Sequence, residues 1–258
     1  MTILVFVATG VMVRLGIWQL DRLEQRREFN ARVREQSGQT LLQITAANQK
    51  TISPEMEYRQ VSLQGEYDFT HEIVLRNQVW HDQSGVHLLT PLHISGSDQY
   101  VYINRGWIPL EAYNTGNLDQ FHESGVITVT GIIRASQAGG FLGINTDPTP
   151  VPGENLKIWN MVNIENLALQ TPYSLLPVYI QQLPDPSWQS LPYRSEVKLE
   201  LSEGPHQGYA LQWFTFALIL GIGYPIFVRR EEMKSTLHVA ESKIDPTKVE
   251  STASSTDL

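Results

Sequence analysis

The stretch Gly204-Pro205-His206-Gln207-Gly208-Tyr209-Ala210-Leu211-Gln212-Trp213-Phe214 sets a lone histidine at the mouth of an apolar span. Residues 209–228 carry no formal charge. At about 1.5 Å rise per residue, a helix of that length matches the hydrocarbon thickness of a bilayer. Arg229 and Arg230 end the run. A histidine beside such a span is costly to bury without a partner, which raises the prospect of a role in the membrane.

Working outward, the other end of the chain holds a second apolar run. Residues 3–20 are apolar except for Thr9, Arg14 and Gln19, which is close to the shortest length that spans. Arg14 is expected to snorkel to the interface and Trp18 to anchor there. A cleaved signal peptide is the competing reading. It lacks a basic segment before Ile3 and a small-x-small cleavage site, and the helical pattern continues through Leu23 and Arg27. The missing basic flank admits a start truncated before Met1.

Charge sorts the rest. Residues 14–34 hold six arginines against three acids, residues 35–208 eight basic against eighteen acidic side chains, and the tail from Arg229 five against six, within a net charge of −8. An acidic middle without a basic stripe argues against nucleic acid as a partner. Two spans force both ends to one side of the membrane. Basic flanks pull two ways here, but long loops translocate largely regardless of charge, so both ends are read as inside and the middle as outside. The absence of cysteine excludes thiol redox chemistry and cysteine metal sites.

Residues 21–36 read as a helical continuation of the first span. From Tyr58 the period becomes two: strands are expected over 61–66, 73–80, 86–94, 100–108, 126–134 and 178–182, with a turn at 81–85 and a short helix near 164–170. Residues 138–155 are rich in glycine and proline and read as a mobile loop. The polar tail after residue 229 is expected to be disordered. The fold class that results is a membrane protein with two transmembrane α-helices flanking a mainly antiparallel β domain. That domain is barrel- or sandwich-like, with a minor α part (α+β), and extracytoplasmic. Its parts are 1–20 (first span), 21–36 (juxtamembrane helix), 37–203 (β-rich domain), 204–228 (second span) and 229–258 (tail).

No Gly-x-Ser-x-Gly elbow, His-Glu-x-x-His pair, Walker loop or Gly-x-Gly-x-x-Gly occurs, so an enzyme reading has little support. Five motifs stand in order instead: Leu15-Gly16-Ile17-Trp18-Gln19-Leu20-Asp21-Arg22, Tyr58-Arg59-Gln60-Val61 with Gly65, Gly85-Val86-His87-Leu88-Leu89-Thr90-Pro91-Leu92, Asn104-Arg105-Gly106-Trp107-Ile108-Pro109, and the run from His206 to Phe214. Together they resemble the surfeit locus protein 1 family of cytochrome c oxidase assembly factors, over nearly the whole chain up to Arg230. The resemblance implies a respiratory-chain chaperone whose partners are the oxidase catalytic subunit, the lipid bilayer and a haem a synthase. It also implies haem a as the bound cofactor, with the family's span histidine at His206 and its tryptophan at Trp213. With no mitochondrial-type presequence in view, the expected location is a bacterial plasma membrane.

On a helix His206, Tyr209, Ala210 and Trp213 fall on one face. That face offers an iron ligand, a small residue and an aromatic wall, and the helix N-terminus after Pro205 suits a propionate. The bland alternative is an interfacial histidine bonded to lipid or loop. Arg105 also has two readings, an ion pair within the sheet or a contact to a propionate or partner carboxylate. Trp80 and Trp107 read as packing residues. His81, His87 and His93 recur every six residues, but the turn breaks their register. His71, His122 and His238 read as surface residues. Three functions follow: a haem a carrier, a scaffold that holds the immature oxidase subunit without haem, and a membrane-tethered enzyme.

Overall fold

Without a proline to break it, the N-terminal run and its arginine-rich continuation form one helix, α1 (Thr2–Ser37). The structure, a computed structural model, describes residues 2–137, 139, 147–151, 155–197 and 199–244. The chain divides into two units, Met1–Asn30 with Leu201–Leu258, and Ala31–Glu200.

In the first unit α1 lies antiparallel to α4 (His206–Ile244). Small residues let the two backbones approach, as helices do where lipid supplies no hydrophobic drive. A Cβ on Gly16 would strike the Phe214 ring at 2.7 Å, and one on Gly221 would sit 3.2 Å from Thr9 Cγ2. Ala210 and Ala217 are buried. Polar contacts pin the ends: Thr2 and Tyr224 share a hydroxyl hydrogen bond of 3.3 Å, Asn30 donates to the Leu201 carbonyl at 2.8 Å, and Arg27 pairs with Glu203 at 3.0 Å. Outward-facing Ile3, Leu4, Phe6, Val7, Leu211, Leu218, Ile219 and Ile222 are exposed. Both helices are long and apolar enough to cross a membrane. Beyond Arg230 α4 stays helical to Ile244, where the sequence suggested disorder. Glu231, Glu232, Met233 and Lys234 are good helix formers, Lys234 pairs with Glu231 at 3.2 Å, and no proline intervenes before Pro246. Residues 245–258 of that expected disordered tail lie outside the described residues.

The second unit is a β domain. Its strands are β1 (Leu42–Ile44), β2 (Gln60–Tyr67), β3 (Ile73–Trp80), β4 (Gln83–Ile94), β5 (Gln99–Pro109), β6 (Ile127–Ala135), β7 (Ile158–Trp159) and β8 (Ser174–Gln182). Short helices α2 (Leu110–Asn114) and α3 (Ile164–Ala168) accompany them. The sheet order is β1-β2-β6-β8-β5-β4-β3-β7, and a further β2–β4 pairing closes five strands into a barrel. Closure needs Gly65: a Cβ there would meet the His93 carbonyl at 2.2 Å. Most pairings are antiparallel, while β1–β2, β3–β7 and β5–β8 are parallel. The two-residue strand β7 and three-residue β1 are too short for a period-two signal to reveal.

Alternation along β2 buries Val61, Leu63 and Tyr67, which join Leu92, Ile94, Val101, Ile103, Val129, Ile133, Val178 and Ile180 in the main core. A second cluster packs Trp159, Val162, Ile164 and Leu167 on Ile73, Leu89, Tyr102 and Tyr179. The expected turn at 81–85 contracts to His81 and Asp82, both at positive φ (45° and 63°), because a two-residue hairpin turn of that hand suits the strand twist. Residues 138, 140–146 and 152–154 of the expected mobile loop lie outside the described residues.

Candidate functional site

His206 opens α4, half-buried against α1, and its Nδ1 lies 2.8 Å from Oε1 of Gln19. Gln19 is itself buried. With the amide oxygen accepting from Nδ1–H, the lone pair of the neutral imidazole sits on Nε2, which has no hydrogen-bond partner among the described residues. This is how proteins orient a ligating histidine: the second ring nitrogen is tied to a carbonyl so that the first is free for metal. The donor set fits an axial ligand to haem iron.

The four-residue face expected on α4 does not survive packing. Ala210 is only 2% exposed, so it sits in the helix–helix seam and offers no platform for a macrocycle. The small side chain is where α1 can approach. Tyr209 turns outward, half exposed, and Trp213 is half-buried with its ring edge-on to Phe216 at 6.3 Å.

Arg105 belongs to a different place, the interior of the β domain, where its side chain is fully buried. β5 carries a bulge there: Leu88 faces Gly106 and Leu89 faces Asn104, leaving Arg105 without a cross-strand partner. A bulge re-aims the side chain. Nη1 donates to Glu72 at 3.1 Å, and Nη2 donates to Glu123 at 3.2 Å and to the Phe121 carbonyl. The guanidinium also lies over the rings of Tyr67 (4.9 Å) and Phe69 (5.2 Å). Thr90 donates to the same Glu72 oxygen, and Arg194 reaches Glu123 at 3.4 Å. Of its two readings, the ion pair within the sheet describes Arg105, whose two terminal nitrogens already meet carboxylates of the β domain. Burial pushes the Tyr67 hydroxyl upward despite the nearby arginine.

Asn104, Gly106 and His87 form a second constellation. The Gly106 N–H donates to Asn104 Oδ1 at 3.2 Å, which fixes the amide so that Nδ2 donates to His87 Nδ1 at 3.0 Å. The remaining proton of a neutral His87 is therefore on Nε2. Gly106 has φ of 128°, and a Cβ would strike the Tyr193 carbonyl at 2.5 Å.

The histidines read as surface residues at 71 and 122 are built in. His71 Nδ1 bonds Asp68 at 2.7 Å, Tyr173 donates to the same carboxylate oxygen at 2.8 Å, and His122 stacks on Phe69 at 3.7 Å. Burial alone would raise Asp68, but hydrogen bonds from His71, Tyr173 and the Thr70 N–H outweigh it and hold the carboxyl below its ordinary value. No cluster of three metal-ligating side chains occurs among the described residues. Trp80 and Trp107 pack with Tyr193, at 5.9 and 6.3 Å between rings.

The model of the SURF1 family matches residues 6–218. The chain belongs to the SURF1 family. It is similar to a SURF1-like protein of Rickettsia conorii (strain ATCC VR-613 / Malish 7), 25% identical over 236 residues that cover 88% of this chain and 90% of that one. The SURF1-like protein of Caenorhabditis briggsae is 21% identical over 225 residues, covering 80% and 68%. Surfeit locus protein 1 of Rattus norvegicus is 21% identical over 232 residues, covering 84% and 72%. SURF1 is known as a cytochrome c oxidase assembly family.

Within this SURF1 chain, sequence reasoning missed Gln19 as the partner of His206 and Glu72 and Glu123 as those of Arg105. Gln19 was visible as a polar residue in an apolar run. The acids are 33 residues before Arg105 and 18 after it, across a fold that no local pattern encodes.

Burial lowers the pKa of His87 from 6.5 to about 4. The folded state thus refuses a proton that the unfolded chain accepts, and the stabilisation is full above pH 6.5 and lost as pH falls toward about 4. Between about pH 7.5 and about pH 5 the loss should be about 2 kcal/mol more in the parent than in His87→Gln, read from urea midpoints. Equal losses in the two proteins would show that His87 does not resist protonation.

Proposed function

We propose that this SURF1-family chain is a non-enzymatic assembly factor for haem–copper cytochrome c oxidase that holds haem a through His206 and assists its delivery to the oxidase catalytic subunit. The observation that carries the reading is the Gln19–His206 hydrogen bond of 2.8 Å, which leaves Nε2 as the free ligand atom at the head of an apolar helix. Tyr209 and Trp213 follow His206 on α4, the first exposed and the second half-buried, and supply aromatic surface for a flat apolar cargo. Arg105 takes no part in holding it. Haem a is cargo here, received from a haem a synthase and passed on unchanged. Protein purified from cells that make haem a should carry a Soret band. A parent protein free of haem under those conditions would leave the scaffold function in its place.

In this reading α1 and α4 cross a bacterial plasma membrane, with the β domain outside and both ends in the cytoplasm. Arg229, Arg230 and Lys234 after the second span favour that side. A reporter active only outside should work when fused at Asn117 and fail when fused after Lys234. The reverse pattern would overturn the orientation.

A further inference from the structure

The β domain contains a cavity of about 790 Å³ whose lining includes Trp80, His87, Arg134, Gln181, Arg194 and Glu196. We propose that this cavity binds an organic monoanion, a carboxylate carried on a flat apolar body, independently of any haem at His206. The first reason is the gathering of arginine donors. Residues 35–208 hold eight basic against eighteen acidic side chains, yet this lining has two arginines against one glutamate. Each arginine is balanced by a carboxylate behind the lining, Arg134 by Glu57 and Arg194 by Glu123, so the cavity gathers cationic N–H donors without an excess of charge.

Donor geometry is the second reason. Each arginine is tied from behind through one nitrogen, Arg134 Nε to Glu57 at 3.2 Å and Arg194 Nη2 to Glu123 at 3.4 Å. Those bonds fix the guanidinium planes. Arg134 keeps both Nη groups, and Arg194 keeps Nη1, without a hydrogen bond to any described residue. His87 adds a neutral donor, because Asn104 occupies Nδ1 and leaves the proton on Nε2. With both cations already balanced and the third donor uncharged, the site suits a singly charged carboxylate better than a phosphate dianion.

The third reason is the wall. Trp80 is held by Tyr193 and Trp107, with ring centroids at 5.9 and 6.4 Å, so it presents an aromatic surface that need not be ordered on binding. A cavity of this size with an aromatic side and a few fixed donors has the make-up of a small-molecule site.

The test uses the full chain in detergent micelles, titrated calorimetrically with 2-naphthoate and with its uncharged isostere 2-naphthamide. Naphthoate should bind saturably and naphthamide at least about ten-fold more weakly, the effect of a lost charge-assisted hydrogen bond. Arg134→Gln and His87→Phe should each weaken naphthoate about ten-fold while leaving naphthamide unchanged. Trp80→Leu should weaken both ligands. Thermal melting identifies a variant that fails to fold, in which case the other two decide. Absence of saturable naphthoate binding in the parent, equal affinity for the two ligands, or parent-like naphthoate binding in the folded variants would overturn the proposal.

Discussion

Protein carrying His206→Ala, purified from cells that make haem a, is expected to lose most of the Soret absorbance of the parent while inserting into the membrane in equal amount. Under the proposed function the imidazole is the iron ligand at the head of α4, and the charge-free run of residues 209–228 is untouched. Gln19→Leu makes a finer test, because it keeps the size of the side chain, leaves His206 in place and removes only the acceptor on Nδ1. Loss of such an orienting partner typically costs 10- to 100-fold in metal affinity, so about that weakening should appear in haem titrations, with an altered spectrum in the fraction that remains loaded. Trp213→Ala should reduce loading without abolishing it, since a stacking surface contributes less than an iron bond. His238→Ala, beyond Arg230 in the charged part of α4, serves as the control. Parent-like haem content in His206→Ala would reject the ligand and favour the scaffold function. Parent-like content and spectrum in Gln19→Leu, with loss in His206→Ala, would reject only the orienting role.

Arg105→Met should be the most destabilising single change in the β domain, by about 3–5 kcal/mol in urea unfolding. The side chain is fully buried and is the cation between Glu72 and Glu123. Removing it leaves Glu72 buried with a hydroxyl partner, Thr90, but no opposite charge, while Glu123 retains Arg194 at 3.4 Å. Methionine fills much of the same volume, so the loss reads electrostatics more than packing. Combining it with Glu72→Gln should recover part of the loss, because the stranded charge is gone. A loss under about 1 kcal/mol for Arg105→Met would show that the network is held by packing alone.

The two arginines near α1 and those in the barrel illustrate how differently such residues can be read. Arg22 and Arg27 stand on an exposed helical face, where spacing along one element predicts their solvent position and, for Arg22, its local partner Gln25. For Arg105 the spacing is misleading. Period-two alternation would assign it to one face of a regular strand, but the bulge at Arg105–Gly106 turns it into the interior, with Gly106 at φ of 128° beside it. His71 and His122 were misplaced for a similar reason: polar neighbours in sequence say nothing about Tyr173 or Phe69 arriving from elsewhere in the fold.

By itself the sequence determined the two long apolar helices, the β character of the middle and the approximate place of six strands, because hydrophobic run length and periodicity are local properties of the chain. It also singled out His206, since an ionisable residue at the end of an uncharged run is conspicuous whatever surrounds it. Barrel closure through Gly65, the parallel β5–β8 pairing, the burial of Ala210 under α1 and the amide of Gln19 on His206 were decided only by tertiary structure. Each joins segments far apart in the chain. Such contacts depend on which surfaces can approach and which polar groups must then be satisfied, and these are set by packing in space and not by neighbours in sequence.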